Sequence, residues 1–244
     1  MIVNGLLALM AYKTKALTLN GTLLALALGV FVYYINIKAY IVLFVYFISV
    51  VFVERIILKK KMEQRNSGQV ISNFALALFS MVLFLILKNH KFFVLYCTML
   101  SVSICDTFAS TIGSKFAKNV YSITKFEKVE KGISGGVSFC GTVFGILGSV
   151  IISAVYCVLF HKNTNVAVLC NAIMITAMGT FGMIIDSILG DVFQKKYYCI
   201  HCHRVIENQV CCGVSAKPIG IHILTNSQVN ICSAGMIFVI YLLL

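Results

Sequence analysis

Long apolar stretches alternate along this chain with short clusters of charge. Runs of the length that crosses a bilayer, about 20 residues, fall at about 17–35, 38–53, 70–87, 92–114, 137–160, 165–190 and 227–244. They predict an all-α polytopic membrane bundle of about seven transmembrane helices, one integral membrane domain over 1–244. The opening MIVNGLLALMAY is too short to span. Its charges, Lys13 and Lys15, follow the apolar part, the reverse of a signal peptide, so an interfacial or half-inserted segment is expected there. The links are longer at 54–69, 115–136 and 191–226. TLNGTLLALALG (18–29) echoes SFCGTVFGILGS (138–149), and NSGQV (66–70) echoes NSQV (226–229). Spans one to three and five to seven would run in the same directions, so a three-helix internal repeat with span four as linker is allowed.

Composition excludes a soluble domain: of 244 residues, 60% are hydrophobic, 11% are charged and one is proline. A net charge of +12 could point to nucleic acid, but its distribution points to membrane orientation instead. If the loops are assigned alternately, sixteen of the 20 basic residues fall on one side; Lys38, Lys88, Lys91 and Lys162 fall on the other. The rich side is cytoplasmic by the positive-inside rule, which places the amino terminus inside and the carboxyl terminus outside. The run RIILKKKMEQR (55–65) reads as side chains snorkelling to lipid head groups.

Two of the eight acidic residues, Asp106 and Asp186, lie inside expected spans. Carboxylates at membrane depth face the bundle interior or a wet cavity, because lipid cannot solvate them. Ser103, Asp106, Ser110 and Gly113 share one face of their helix; Gly179, Gly182, Asp186 and Gly190 share one face of theirs. Such small residues let helices approach closely, and GTVFGILG (141–148) has GxxxG spacing at Gly141 and Gly145. Asn73 with Ala77 and Ser80, and Asn226 and Asn230 with Ser233, add polar faces on spans three and seven. All fall in the cytoplasmic half, where two carboxylates and three amides would make an oxygen-rich site suited to Mg²⁺. The competing reading of the asparagines is hydrogen-bonded helix glue. Asp191, just past span six, either joins the site or is solvated.

SITKFEKVEKGISGGVSFCG (122–141) brings Lys125, Lys128 and Lys131 to a turn containing Gly132, Ser134, Gly135 and Gly136. Backbone amides in a flexible turn before a helix suit an anion. The lysines alone are explained by orientation, and no Walker pattern follows.

Ten cysteines are present. Six lie in expected spans, where cysteine behaves as a small apolar residue. Cys199, Cys202, Cys211 and Cys212 are bunched on the cytoplasmic side, where thiols stay reduced. A CxxC hairpin followed by a thiol pair reads as a candidate zinc knuckle over 199–212, with His201 and His203 as substitute ligands, or else as a thiol-rich loop.

DTFASTIG, GISGGVS, DSILG and NSQVN, in that order, together with KALTLNG and QVISN, resemble the transmembrane protein nineteen family of integral membrane proteins (domain of unknown function ninety-two), which includes the phytyl-phosphate kinase of plants. The resemblance covers nearly the whole chain. It implies phosphoryl transfer from a nucleoside triphosphate, CTP in the plant enzyme, to a prenyl monophosphate. Carried over, Asp106, Asp186 and Asn230 are central, and Gly135 and Gly136 lie on the phosphates. Thr111 stands where the family has glutamate, and Ile133 where it has threonine.

Phosphoryl transfer asks for charge neutralisation and alignment rather than a strong nucleophile. Expected partners are therefore the bilayer, a prenyl-phosphate lipid, a nucleoside triphosphate and Mg²⁺, with no nucleic acid. The same aspartates would also serve a transporter or proton-coupled carrier, though transporter sites sit near the midplane in broken helices. A third alternative is a non-catalytic membrane protein.

Overall fold

The computed structural model describes residues 2–57, 67–161, 166–221 and 223–244. Lys59, Lys60, Lys61, Arg65 and Lys162, and with them most of the snorkelling run, lie outside the described residues. Eight α-helices are described: α1 (Ile2–Lys13), α2 (Leu19–Ile35), α3 (Ile37–Val51), α4 (Ser67–Leu87), α5 (His90–Phe116), α6 (Phe139–Phe160), α7 (Val166–Phe193) and α8 (Asn226–Leu243). Six helical segments are long and apolar enough to cross a membrane, α3 counting with the turn that follows it; the 17-residue α2 is a shorter apolar helix. This is an integral membrane helical protein.

Polar residues at the breaks set the helix starts. Asn36 separates α2 from α3, its Oδ1 accepting from the amides of Lys38 at 2.8 Å and Ala39 at 3.2 Å. Asn89 does the same between α4 and α5 by accepting from Lys91 N. Thr225 opens α8 with a capping box to Gln228. Each cap satisfies amides that a helix start leaves orphaned. The echoed segments share their cap as well as their sequence: Thr18 accepts from Gly21 N, and Ser138 accepts from Gly141 N. The packing does not follow the echo, since α4 lies chiefly against α2 in the first trio whereas α8 lies against α7 in the second.

Helix α5 runs up the middle, with 83% of its spanning stretch buried against 28–39% for the other five spans. Glycines let its neighbours close on it. A Cβ on Gly145 of α6 would meet Cys105 O at 2.9 Å, and one on Gly141 would meet Ala109 O at 2.8 Å. On α7, a Cβ at Gly179 would lie 2.2 Å from Ser101 Oγ, and one at Gly182 would lie 2.7 Å from Val102. Tyr46 of α3 bonds Ser103 Oγ at 2.8 Å, and Tyr96 donates to Ala39 O at 2.9 Å. The short α1 packs along α2, Asn4 Nδ2 donating to Leu26 O.

Small sheets that the apolar pattern did not suggest order the long loops. β1 (Tyr121–Ser122) pairs with β2 (Gly136–Val137). β3 (Lys196–Cys199) lies between β4 (Arg204–Ile206) and β7 (Lys217–Ile219), while β5 (Val210–Cys211) pairs with β6 (Val214–Ser215). The expected glycine turn is present, with Gly132 and Gly135 at positive φ, and it is tied down: Gly136 is in a sheet, and Gly135 is buried. Asp191 is also not past the helix but in the last turn of α7.

Candidate functional site

The paired glycine contacts set the depth of the two aspartates. Gly179 on Ser101, Gly182 on Val102 and Met183 Sδ at 3.6 Å from Cys105 Sγ bring α7 down α5 in step. Asp106 and Asp186 come level within about one helical turn, both half-buried, close enough for their charges to repel. Ser233 of α8 donates to Asp186 Oδ1 at 2.9 Å, and Asn230 Nδ2 donates to Asn73 Oδ1 of α4 at 3.1 Å. Four helices therefore contribute to one polar cluster. Asn230 Oδ1 is buried and accepts no hydrogen bond among the described residues. An orphaned acceptor one helical turn from Ser233, which bonds Asp186, suits a cation, because each group of the cluster offers an oxygen.

The turn GISGG docks beneath this cluster. A Cβ on Gly190 would meet Ser134 Cβ at 3.3 Å and Gly135 N at 3.4 Å. Gly190 follows Asp186 by four residues, so the turn lies about 6 Å along α7 from the carboxylate. The Ser134 amide donates to Glu207 Oε1 at 2.8 Å, and the Ser134 hydroxyl bonds the same oxygen. The turn thus already receives an anion, supplied by the cysteine lobe. Gly136 N is committed to Ile133 O at 3.0 Å.

Asp191 settles into a structural role. Its Oδ2 accepts from Ser122 Oγ, from Thr124 Oγ1 at 2.6 Å and from Thr124 N at 3.2 Å. Lys196 Nζ pairs with Oδ1 at 3.1 Å. With both oxygens held, Asp191 pins the 121–137 loop to α7 and stands apart from the aspartate pair. Lys131 is exposed, and Asn226 is exposed in the first turn of α8, a turn before Asn230. Neither is joined to the cluster by a described hydrogen bond.

Four cysteine sulfurs, of Cys199, Cys202, Cys211 and Cys212, lie within 4.8 Å of one another. His203 is instead bonded to Tyr198 through Nδ1 at 3.0 Å. The Cys202 amide draws the Cys199 thiol down to about 7, against burial and with help from the Cys202 thiol and the His201 amide. Bonds to the Cys199 and Cys202 sulfurs push Cys211 up to about 12.

Two polar groups had escaped the sequence reading. Glu54 is 4% exposed, because a π-helical turn (Phe52–Ile57) carries it back inside after α3. Its signal was an acid, followed by Arg55, inside the otherwise apolar run VVFVERII. Glu207 was legible only as the one acid between the two cysteine pairs. Glu54, Asn4, Gln69 and Asn73 border a cavity of about 100 Å³ whose remaining lining is mostly apolar and comes chiefly from α1 to α4, among them Leu28, Phe47 and Ala77, with Tyr96 of α5. Asn73 belongs both to this cavity and to the aspartate cluster.

The family described as "Integral membrane protein DUF92" matches residues 2–238. The chain belongs to that family. Among its relatives, "Uncharacterized membrane protein MJ0933" of Methanocaldococcus jannaschii is 32% identical over 200 residues, 78% of this chain and 80% of that protein. "Protein VTE6, chloroplastic" of Arabidopsis thaliana is 33% identical over 101 residues, 41% of this chain and 28% of its own length. "Protein PGR" of the same plant is 24% identical over 262 residues, 95% of this chain and 90% of that one. No solved structure matches.

Proposed function

We propose that this DUF92 protein is an isoprenoid-phosphate kinase, transferring the terminal phosphoryl group of a nucleoside triphosphate, CTP by family resemblance, to a prenyl monophosphate. The observation that carries the reading is the stacking of two sites along α7: an aspartate pair at Asp106 and Asp186, and an anion-receiving turn about 6 Å below it at Ser134 and Gly135.

In this reading Asp106, Asp186 and Asn230 Oδ1 hold Mg²⁺, which when bound neutralises phosphate charge. The Ser134 amide and hydroxyl orient the triphosphate once Glu207 yields them. Asn73 and Asn230 fix the acceptor phosphate at the mouth of the apolar cavity, and the prenyl tail lies among α1 to α4. An oxygen of the prenyl monophosphate attacks the terminal phosphorus, and the bond to the nucleoside diphosphate breaks. The basic loops face the cytoplasm, where nucleotide is supplied. Helices α5 and α7 run unbroken past the aspartates, unlike the interrupted helices common at transporter sites.

The test is direct. Purified protein is incubated with labelled CTP and a series of prenyl monophosphates, and the lipid product is separated. A labelled prenyl diphosphate that needs Mg²⁺ is expected. The reading fails if no acceptor length yields one while the protein remains folded.

A further inference from the structure

The segment after α7 folds without a core. From Lys196 to Ile221, only Cys199 and Ala216 are fully buried. So few buried side chains cannot hold a lobe of this size, and small folds of that kind rely on a covalent or metal staple.

The cysteines are where a staple would be. Cys199 and Cys202 sit on the β3–β4 hairpin, and Cys211 and Cys212 sit at the β5–β6 turn. Adjacent cysteines ordinarily point apart. Here Cys212 has φ 52° and Gly213 has φ 77°, a primed hairpin turn, and that turn brings both sulfurs to one side, 3.7 Å apart. Cys202 and Cys211 are also 3.7 Å apart. Four thiolates at about 2.3 Å from a zinc ion lie about 3.8 Å from each other, whereas a disulfide needs about 2.05 Å. The backbone is therefore shaped for a tetrahedral sulfur site, with two non-glycine residues, Cys212 and His203, held at positive φ to close its loops.

We infer that Cys199, Cys202, Cys211 and Cys212 bind one structural zinc ion, and that this ion seats Glu207 on the Ser134 turn. Glu207 lies between the two ligand pairs in sequence, so closing the site at both ends fixes the stretch that carries it. Its carboxylate then accepts from Ser134 N at 2.8 Å and from the Ser134 hydroxyl. The ion orders the floor of the aspartate site without touching it. The inference stands whether or not the protein is a kinase.

The full chain, purified in detergent from zinc-supplemented cells, should carry about one zinc per molecule by elemental analysis. Cobalt substitution should give the intense sulfur-to-metal absorption of a tetrahedral thiolate site. Cys202→Ser with Cys211→Ser should lose the metal, Cys232→Ser in α8 should keep it, and Glu207→Ala, which removes the acceptor of both Ser134 bonds, should keep it while freeing the turn. Hydrogen exchange at residues 132–136 should rise both on zinc removal and in Glu207→Ala. Folded wild-type protein without stoichiometric metal, iron in place of zinc, or zinc retained in the double variant would each overturn the metal assignment. Unchanged exchange at 132–136 after zinc removal would overturn the link to Ser134.

Discussion

Gly135 lies flat against Asp191: a Cβ on the glycine would fall 2.2 Å from the aspartate Cβ and 2.4 Å from its Cα, at a φ of +79°. Conformation and space both exclude a side chain there. Gly213 has a similar φ, +77°, but nothing within 4 Å. Gly213→Ala should thus cost only the left-handed strain, about 1 kcal/mol. Gly135→Ala should also force the 121–137 loop off α7 and cost more than about 3 kcal/mol. Thermal unfolding in detergent compares the two, and equal losses would mean that the contact with Asp191 is slack.

Asp186→Asn separates chemistry from folding. The variant keeps the acceptor for Ser233 Oγ and removes one of two neighbouring negative charges, so its melting temperature should hold or rise. Removing one electrostatic partner of the transferred group should lower prenyl diphosphate formation by at least about 100-fold. A Mg²⁺ titration of the residual rate should shift to higher concentration. Wild-type turnover in this variant would remove the aspartate pair from the reaction.

The cavity among α1 to α4 predicts a split between substrates. Ala25 is half-buried on α2 and lines it, so a larger side chain can enter without breaking the core of α5. Ala25→Phe should raise KM for a long prenyl monophosphate by about 10-fold, the value of one or two lost apolar contacts, and leave KM for the nucleotide unchanged. Steady-state kinetics with each substrate varied in turn checks it. A rise in nucleotide KM instead would relocate the tail.

The hydrophobic pattern made the helices legible, because length and apolarity alone decide a span. Both aspartates were legible too, because a carboxylate at that depth demands an explanation. The central position of α5 was not: it carries Asp106 among serines and threonines, and what buries it is the glycines of α6 and α7, a property of its neighbours. Nor were the small sheets, whose strands of two to four residues are too short to show alternation. Glu54 hid for a similar reason. It sits one residue beyond the expected span, and only the π-helical turn returns it to the interior. The role of Glu207 on the turn was not legible, because its partner, Ser134, is 73 positions away and met only through folding.

Thr111 stands where the resembled family has glutamate, and its place on α5 decides what that difference means. Five residues separate it from Asp106, about 140° around the helix at 100° per residue. The carboxylate absent from this chain would therefore not point with Asp106 toward Asp186. Thr111 is 6% exposed, so Thr111→Glu buries a charge on a packed face away from the aspartate pair. It should lower stability by about 2 kcal/mol or more and leave the Mg²⁺ dependence of turnover where the parent has it. Melting temperature and a Mg²⁺ titration of the transfer rate, measured on the same preparation, decide the matter. A variant that instead bound Mg²⁺ more tightly and turned over faster would show that α5 presents both positions to one site.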